Sequence, residues 1–262
     1  MIELLRDGPW RKLLRGDKHI TALVEARRAL FGGEPPVEFV HSVEQDNTGT
    51  SWDVQRYRST PEVAPDLALI AGDAMHNLRS ALDHLVGALV RLNKGTITSN
   101  HEFPMWDKTP TGKKLTKTLR EEKLGGIRAD HQLAIERLLP YKDLALPRSK
   151  LLLALHRFDV VDKHRFVHPS ATAARDPQGG ALGEGADPAD FRFTEGPIEA
   201  GREQMRVRRD SKVPVGFQSV IDLEFGDPPM RLHTMLLVLR EVHAILDGFI
   251  DTFTAPGGDD RV

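Results

Sequence analysis

Gly72-Asp73-Ala74-Met75-His76-Asn77-Leu78-Arg79-Ser80-Ala81-Leu82-Asp83-His84-Leu85 is the stretch on which the reading of this chain turns. It lies inside a longer helical pattern that opens at Pro65-Asp66, continues through Leu89 and Leu92, and stops at Asn93-Lys94-Gly95. At 1.5 Å per residue such a helix is roughly 40 Å long, enough to run the height of a helical domain. A solvated helix face is usually written in Glu, Lys and Gln. His, Asn, Ser and Asp form helices less readily and are often placed for chemistry or for buried hydrogen bonds.

On a wheel of 100° per residue, Arg79, Asp83, His76, Ser80, Asp73, His84 and Asn77 fall within one arc, opposite Leu78, Leu82, Leu85 and Leu89. Three readings of that arc stand side by side. It is the wet face of an amphipathic helix, with Arg79 and Asp83 as an ordinary i,i+4 ion pair. Or it is a buried hydrogen-bond network. Or it is a catalytic face, with His76 or His84 as general acid or base, Asp73 or Asp83 orienting it, and Arg79 stabilising negative charge.

Working outward, Trp10, Leu13, Leu14, Ile20, Val24 and Phe31 recur at helical spacing from Pro9 onward, and Gly32-Gly33 ends that helix. Val37 to Val43 and Ser51 to Tyr57 alternate about the turn Asp46-Asn47-Thr48-Gly49, which predicts a β-hairpin. Thr96 to Pro110 reads as loop, anchored by Phe103, Met105 and Trp106. Helices are expected over Lys113–Glu122 and Arg128–Leu139, and a further one opens at Pro147 with the apolar run Leu151 to Leu155, as in a buried central element. Residues 176–190 read as a mobile loop. Strands follow over Phe191–Thr194, Gln204–Arg209 and Phe217–Phe225, and Asp227-Pro228-Pro229 starts the last helix.

The fold class this implies is α+β: mainly a helical bundle with long central helices, with a β-hairpin and a small antiparallel sheet packed at one side. One domain is expected over residues 1–255. Its helical core spans about 9–31, 65–94, 113–164 and 228–254, its strands about 37–57 and 191–225, and 256–262 is a disordered tail.

Composition narrows the function classes. The chain has 262 residues, 36 Lys+Arg against 38 Asp+Glu, and a formal charge of -2, so a polyanion binder held by net charge is not indicated. With no cysteine, disulfides, thiolate metal sites and cysteine nucleophiles are removed. No signal peptide and no run of about 18 apolar residues is present, so no membrane partner and a cytoplasmic location are expected. There is no phosphate-binding Gly-rich loop, no Gly-x-Ser-x-Gly and no His-Glu-x-x-His.

A second polar cluster follows the apolar run: His156, Asp159, Asp162, Lys163, His164 and Arg165. Basic residues there suit a helix C-terminus. If His156 and Asp159 are drawn inside, they need partners, and the first cluster is the obvious one. His76 and His84 lie about 12 Å apart along a helix axis, too far to share a metal ion. Asp73/His76 and His156/Asp159 are i,i+3 pairs from which a four-ligand site can be drawn, but the Glu-x-x-His pairs of di-iron bundles are missing. No metal and no cofactor is expected. Arg202, Arg206, Arg208, Arg209 and Lys212, with Lys113, Lys114 and Lys117, are basic residues that could meet RNA phosphates or simply be solvated charges.

Arg79-Ser80-Ala81-Leu82-Asp83-His84 fits an Arg, four residues, His pattern and resembles the HEPN superfamily, many of whose members are metal-independent ribonucleases. Those proteins commonly carry Asn, Asp or His after the Arg, where this chain has Ser80. The resemblance implies a four-helix domain, RNA as partner, and a homodimer in which Arg79 and His84 of two protomers face each other across a cleft. The pair His76 to His84 and Asp162-Lys163-His164-Arg165 also resembles an uncharacterised bacterial protein family. That likeness covers most of the chain to about residue 170 and brings no activity.

The candidate catalytic residues are therefore Arg79, His84, His76, Asp83 and His164. Asn77, Ser80, Lys163, His156 and Asp159 are the candidate substrate-binding residues. A ribonuclease is one expected function, a non-catalytic ligand-binding or protein-interaction domain with a buried polar network is another, and a metal-binding bundle is a third.

Overall fold

The computed structural model describes residues 2–33, 37–106, 112, 116–139, 146–164, 167–175, 187–211, 219–227 and 229–254. It is an α+β protein with two four-stranded antiparallel sheets among the described residues. The chain divides into two compact units, Met1–Leu23 with Ala68–Val167 and Gly226–Val262, and Val24–Leu67 with His168–Phe225.

The first unit is helical. Helix α1 (Ile2–Phe31) contributes residues up to Leu23 to it. The helix begins seven residues before the Pro9 start expected from sequence. Leu5, buried, anchors the extra turns, and Pro9 sits inside the helix at the cost of one backbone bond. Helix α2 (Asp66–Leu92) is its most buried element, with Leu78, Leu82, Leu85, Leu89 and Met75 all inaccessible. It ends in a Schellman turn, Gly95 N donating to Val90 O at 2.9 Å. The left-handed residue of that turn is Lys94, at φ 57°, and not the glycine beside it.

A π-helix (Lys117–Lys123) stands where an α-helix over Lys113–Glu122 was expected, and 113–115 lie outside the described residues. Its widened turn closes with Leu124 N on Leu119 O. Helix α3 (Ala129–Leu138) and helix α4 (Pro147–His164) follow. Of the apolar run in α4, Leu152 and Leu155 are buried while Leu151, Leu153 and Ala154 are half-buried, so α2 and not α4 is the central element. Helix α5 (Leu232–Thr254) packs on α4 and buries Met235, Val238, Val242, Leu246 and Phe249. It starts later than the Asp227-Pro228-Pro229 signal, because Met230–Arg231 first form a short strand, β8. Phe103 and Met105 are buried, as expected of loop anchors.

The second unit carries strands β1 to β7. Strands β1 (Phe39–Gln45) and β2 (Ser51–Tyr57) form the expected hairpin, with Ser42 opposite Val54. Its turn is held by Asp46, whose carboxylate accepts from Thr48 N at 2.8 Å and from Trp52 Nε1 at 3.0 Å. Strand β6 (Glu203–Arg208) pairs with β2 and with β4 (Phe191–Phe193), giving the order β1-β2-β6-β4. The other order is β5-β3-β7-β8, with β3 Pro169–Arg175, β5 Gly196–Pro197 and β7 Ser219–Phe225. Strand β3 was not legible in sequence: Pro169-Ser170-Ala171-Thr172-Ala173-Ala174 has one β-branched residue and reads as helix or loop. It qualifies as a central strand because Ala171, Thr172 and Ala173 are small enough to be buried there. Val37, Tyr57, Ala171, Ala173, Ile198 and Ile221 make this unit's core. Of the expected loop at 176–190, residues 176–186 lie outside the described residues, as does the expected tail at 256–262, while Pro188–Asp190 form a short 3-10 helix.

Candidate functional site

The polar arc of α2 divides in two. Helical geometry sends Asp73, His76 and Ser80 up one line of the helix, while Arg79 and Asp83 follow another.

On the first line, His76 Nδ1 lies 3.0 Å from Asp159 Oδ1 of α4. The imidazole is 48% exposed, whereas the Asp159 side chain is 4% exposed. A carboxylate accepts only, so the Nδ1 of His76 carries the proton and Nε2 is left as the basic nitrogen. Ser80 Oγ, one turn on, lies 3.5 Å from that Nε2. Lys163 Nζ holds the other oxygen of Asp159 at 2.6 Å.

Asp162, one turn beyond Asp159 on α4, faces the same place. Burial pushes its carboxyl above the usual carboxylate range, and the neighbouring Asp159 and Asp73 charges push the same way. It fits only because α2 has a glycine opposite: a Cβ on Gly72 would stand 2.4 Å from Asp162 Oδ1. Sequence reading placed Asp162 in a motif without giving it a role. The available signal was its i,i+3 spacing from Asp159 together with a glycine in the middle of a helix.

The second line is a lock. Arg79, 6% exposed, pairs with Asp83 at 3.2 Å and with Glu102 at 3.8 Å. Lys123, at the end of the π-helix, pairs with Glu102. Asp83 Oδ1 also accepts the backbone N–H of Phe103 at 2.9 Å, which ties the loop carrying Phe103 and Met105 to α2. Burial draws the Arg79 pKa down, and the charges of Asp83 and Asp159 oppose that shift. Burial also lowers Lys123, with Arg79 nearby adding to it. Glu102 and Lys123 were missed by sequence reading because nothing in their local spacing links them to Arg79.

His84 does not join either group. It is exposed and stands beside Gly8 of α1, where a Cβ would meet its Nδ1 at 2.9 Å. The partial covering of the ring by α1 and the charge of Lys12 hold its pKa below the usual histidine value. Asn77 is buried and turns back to its own helix, donating to Asp73 O at 2.7 Å. His156 is half-buried on α4. The side chain of His164 lies outside the described residues, as does Arg165. The structure thus brings His76, Ser80, Asp159 and Lys163 together, groups Arg79 with Asp83, and leaves His84 apart within the chain.

Asp73, His76, His156 and Asp159 do not form a ligand set, for among the described residues no group of three or more His, Asp or Glu is arranged to hold a metal ion. Other histidines have structural partners. His101 accepts from Thr98 N at 2.8 Å and donates from Nε2 to Gly125 O at 2.9 Å, stapling a loop. His243 is half-exposed, pairs with Asp247 at 2.8 Å and meets Trp10 edge-on.

The basic residues of the second unit are largely matched by local acceptors. Arg206 pairs with Glu203, and Arg208 with Asp210 at 2.6 Å and Asp190 at 2.9 Å. Arg202 donates to the carbonyls of Pro197 and Glu195. Lys113, Lys114 and Lys212 lie outside the described residues. Among the described residues no helix is long and apolar enough to cross a membrane. Comparisons with protein-family models, curated proteins and solved structures gave no match to this chain.

Proposed function

We propose that this chain is an acid–base catalyst whose working group is His76, with RNA as its substrate class. One observation carries the reading: a half-exposed imidazole is fixed through Nδ1 by a buried carboxylate, so that its other nitrogen faces outward as a base of defined tautomer. His76 takes the proton of the attacking hydroxyl and returns one to the leaving oxygen. Asp159 orients the ring and stabilises its charged form. Lys163, half-exposed and seated on Asp159, offers a cation beside His76 for an incoming phosphate. RNA rests on the HEPN-like Arg79 and His84 spacing. Arg79, buried and paired, holds Asp83 and the Phe103 loop, so the roles that the resemblance gives to Arg79 and His84 pass to Lys163 and His76.

The test is cleavage of mixed RNA oligonucleotides by wild type, His76→Ala and His84→Ala, with and without EDTA. Expected are cleavage that survives EDTA, a loss of at least about 100-fold in His76→Ala, and a change of only a few-fold in His84→Ala. Intact RNA in the presence of wild type overturns the reading.

A second reading, a non-catalytic interaction domain, is favoured by the Arg79, Asp83, Glu102 and Lys123 network, which has the form of a structural lock. It expects no turnover and a large loss of stability when Arg79 is truncated.

A further inference from the structure

We propose that Ser80 is a nucleophile and that Ser80, His76 and Asp159 together form an acyl-transfer site for carboxylic esters. The proposal rests on the reading of His76 as the proton-handling group and adds the hydroxyl from which it takes the proton.

The geometry has the nucleophile, the base and the orienting carboxylate of such chemistry. The hydroxyl of Ser80 lies 3.5 Å from the basic nitrogen of His76, and the opposite nitrogen of the same ring lies 3.0 Å from a carboxylate. The carboxylate is buried and held on its second oxygen by Lys163, so it is fixed rather than free to turn. The contact between hydroxyl and imidazole is longer than a resting hydrogen bond, as is common before substrate tightens a site. His76 and Ser80 stand at i and i+4 on α2, so the helix itself holds nucleophile and base in register. A serine and a histidine one turn apart are commonplace; a buried acidic partner on a second helix, aimed at the far ring nitrogen, is what makes a relay of them.

The step balances without any co-reactant. Ser80 Oγ attacks the ester carbonyl carbon as His76 Nε2 takes the hydroxyl proton. The bond from the carbonyl carbon to the alcohol oxygen breaks, and the departing oxygen takes the proton from His76. The acyl group stays on Ser80 until water attacks its carbonyl carbon, with His76 accepting the water proton; the bond from that carbon to Ser80 Oγ then breaks, the carboxylic acid departs, and His76 returns the proton to Ser80 Oγ. An ester carbonyl is uncharged, so the attack begins with no charge at the electrophile to neutralise.

The experiment is labelling of the full chain with a fluorophosphonate probe, followed by peptide mass mapping, alongside p-nitrophenyl butyrate as substrate. Wild type is expected to gain one adduct on Ser80 and to release p-nitrophenol in a burst. Ser80→Ala is expected to lose the adduct, and His76→Gln to label at least 100-fold more slowly, with melting curves confirming that both are folded. An adduct on another residue, or equal labelling of His76→Gln, overturns the proposal. RNA cleavage without Ser80 labelling removes this inference and leaves His76 as the base in RNA cleavage. Labelling at Ser80 without RNA cleavage does the reverse.

Discussion

His76 Nδ1 and Asp159 Oδ1 stand 3.0 Å apart, one ring half in solvent and one carboxylate inside the protein. A buried charge persists when it is paired, and here it is paired twice, with His76 and with Lys163. Asp159→Asn keeps the shape of the side chain and removes the charge. Turnover or probe labelling by this variant is expected to fall about 100-fold or more, with a shifted pH profile, because the ring loses its fixed tautomer. An unchanged rate and profile would show that Asp159 does not position the ring.

Arg79 and His84 belong to one sequence motif and are expected to behave oppositely. Truncating Arg79 empties a buried position and removes one cation from Asp83 and Glu102, which are part-exposed, a loss of about 1–3 kcal/mol. His84→Ala, at an exposed position, should stay within about 0.5 kcal/mol. Urea denaturation of the two variants checks the contrast. Equal effects would mean that Arg79 is not the lock described above.

Acid should weaken the helical unit through its histidines. His131 is buried against Phe249, and burial depresses its pKa below 6.5. Below pH 6.5 the unfolded chain therefore binds more protons than the folded one, so stability is complete above that value and falls as the pH drops through the window beneath it. His131→Phe is expected to flatten the fall in melting temperature between pH 7.5 and about 5.

Asp162 runs the other way. Its raised pKa means that the folded carboxyl holds its proton above pH 3.8, so stability is lost as the pH rises through the shifted value. Asp162→Asn should melt higher than wild type at pH 7 and lose that advantage near pH 3.5.

Close helix contacts give a steric prediction. A Cβ on Gly16 of α1 would stand 2.9 Å from Leu78 Cδ2 and 3.2 Å from the Ala74 carbonyl, neither of which can retreat from the core. Gly16→Ala is expected to cost about 1–3 kcal/mol despite the better helix propensity of alanine. At Gly72 the nearest obstacle is the Asp162 carboxylate, so Gly72→Ala should recover when Asp162 is also made Ala. Thermal melts of the single and double variants measure the coupling.

Much of the fold is legible along the chain because its signals are local. The leucines of α2 and the alternation about Asp46 to Gly49 are written in spacings of 3.6 and 2, which neighbouring residues alone decide. Strand β3 escapes that reading since alanines earn a central strand only from what packs on them. The late start of α5 is similar: two residues that could have opened the helix are taken by a strand. In the site, the sequence pointed to His76, Asp159 and Lys163, and the pairing of the two clusters followed from the need of a buried Asp159 for partners.

By itself, then, the sequence determined an α+β chain without cysteine and a long helix crowded with His, Asp, Arg and Ser, because composition and periodicity are properties of the chain. Only the tertiary structure decided how that helix divides its polar residues. Arg79 and Asp83 close on Glu102 and Lys123, His84 turns to Gly8, and His76 meets Asp159 from a helix 83 residues away. The physical reason is that a helical wheel fixes the direction in which each side chain leaves, whereas burial and partner charge, which decide what it does, come from whichever segment the fold brings alongside.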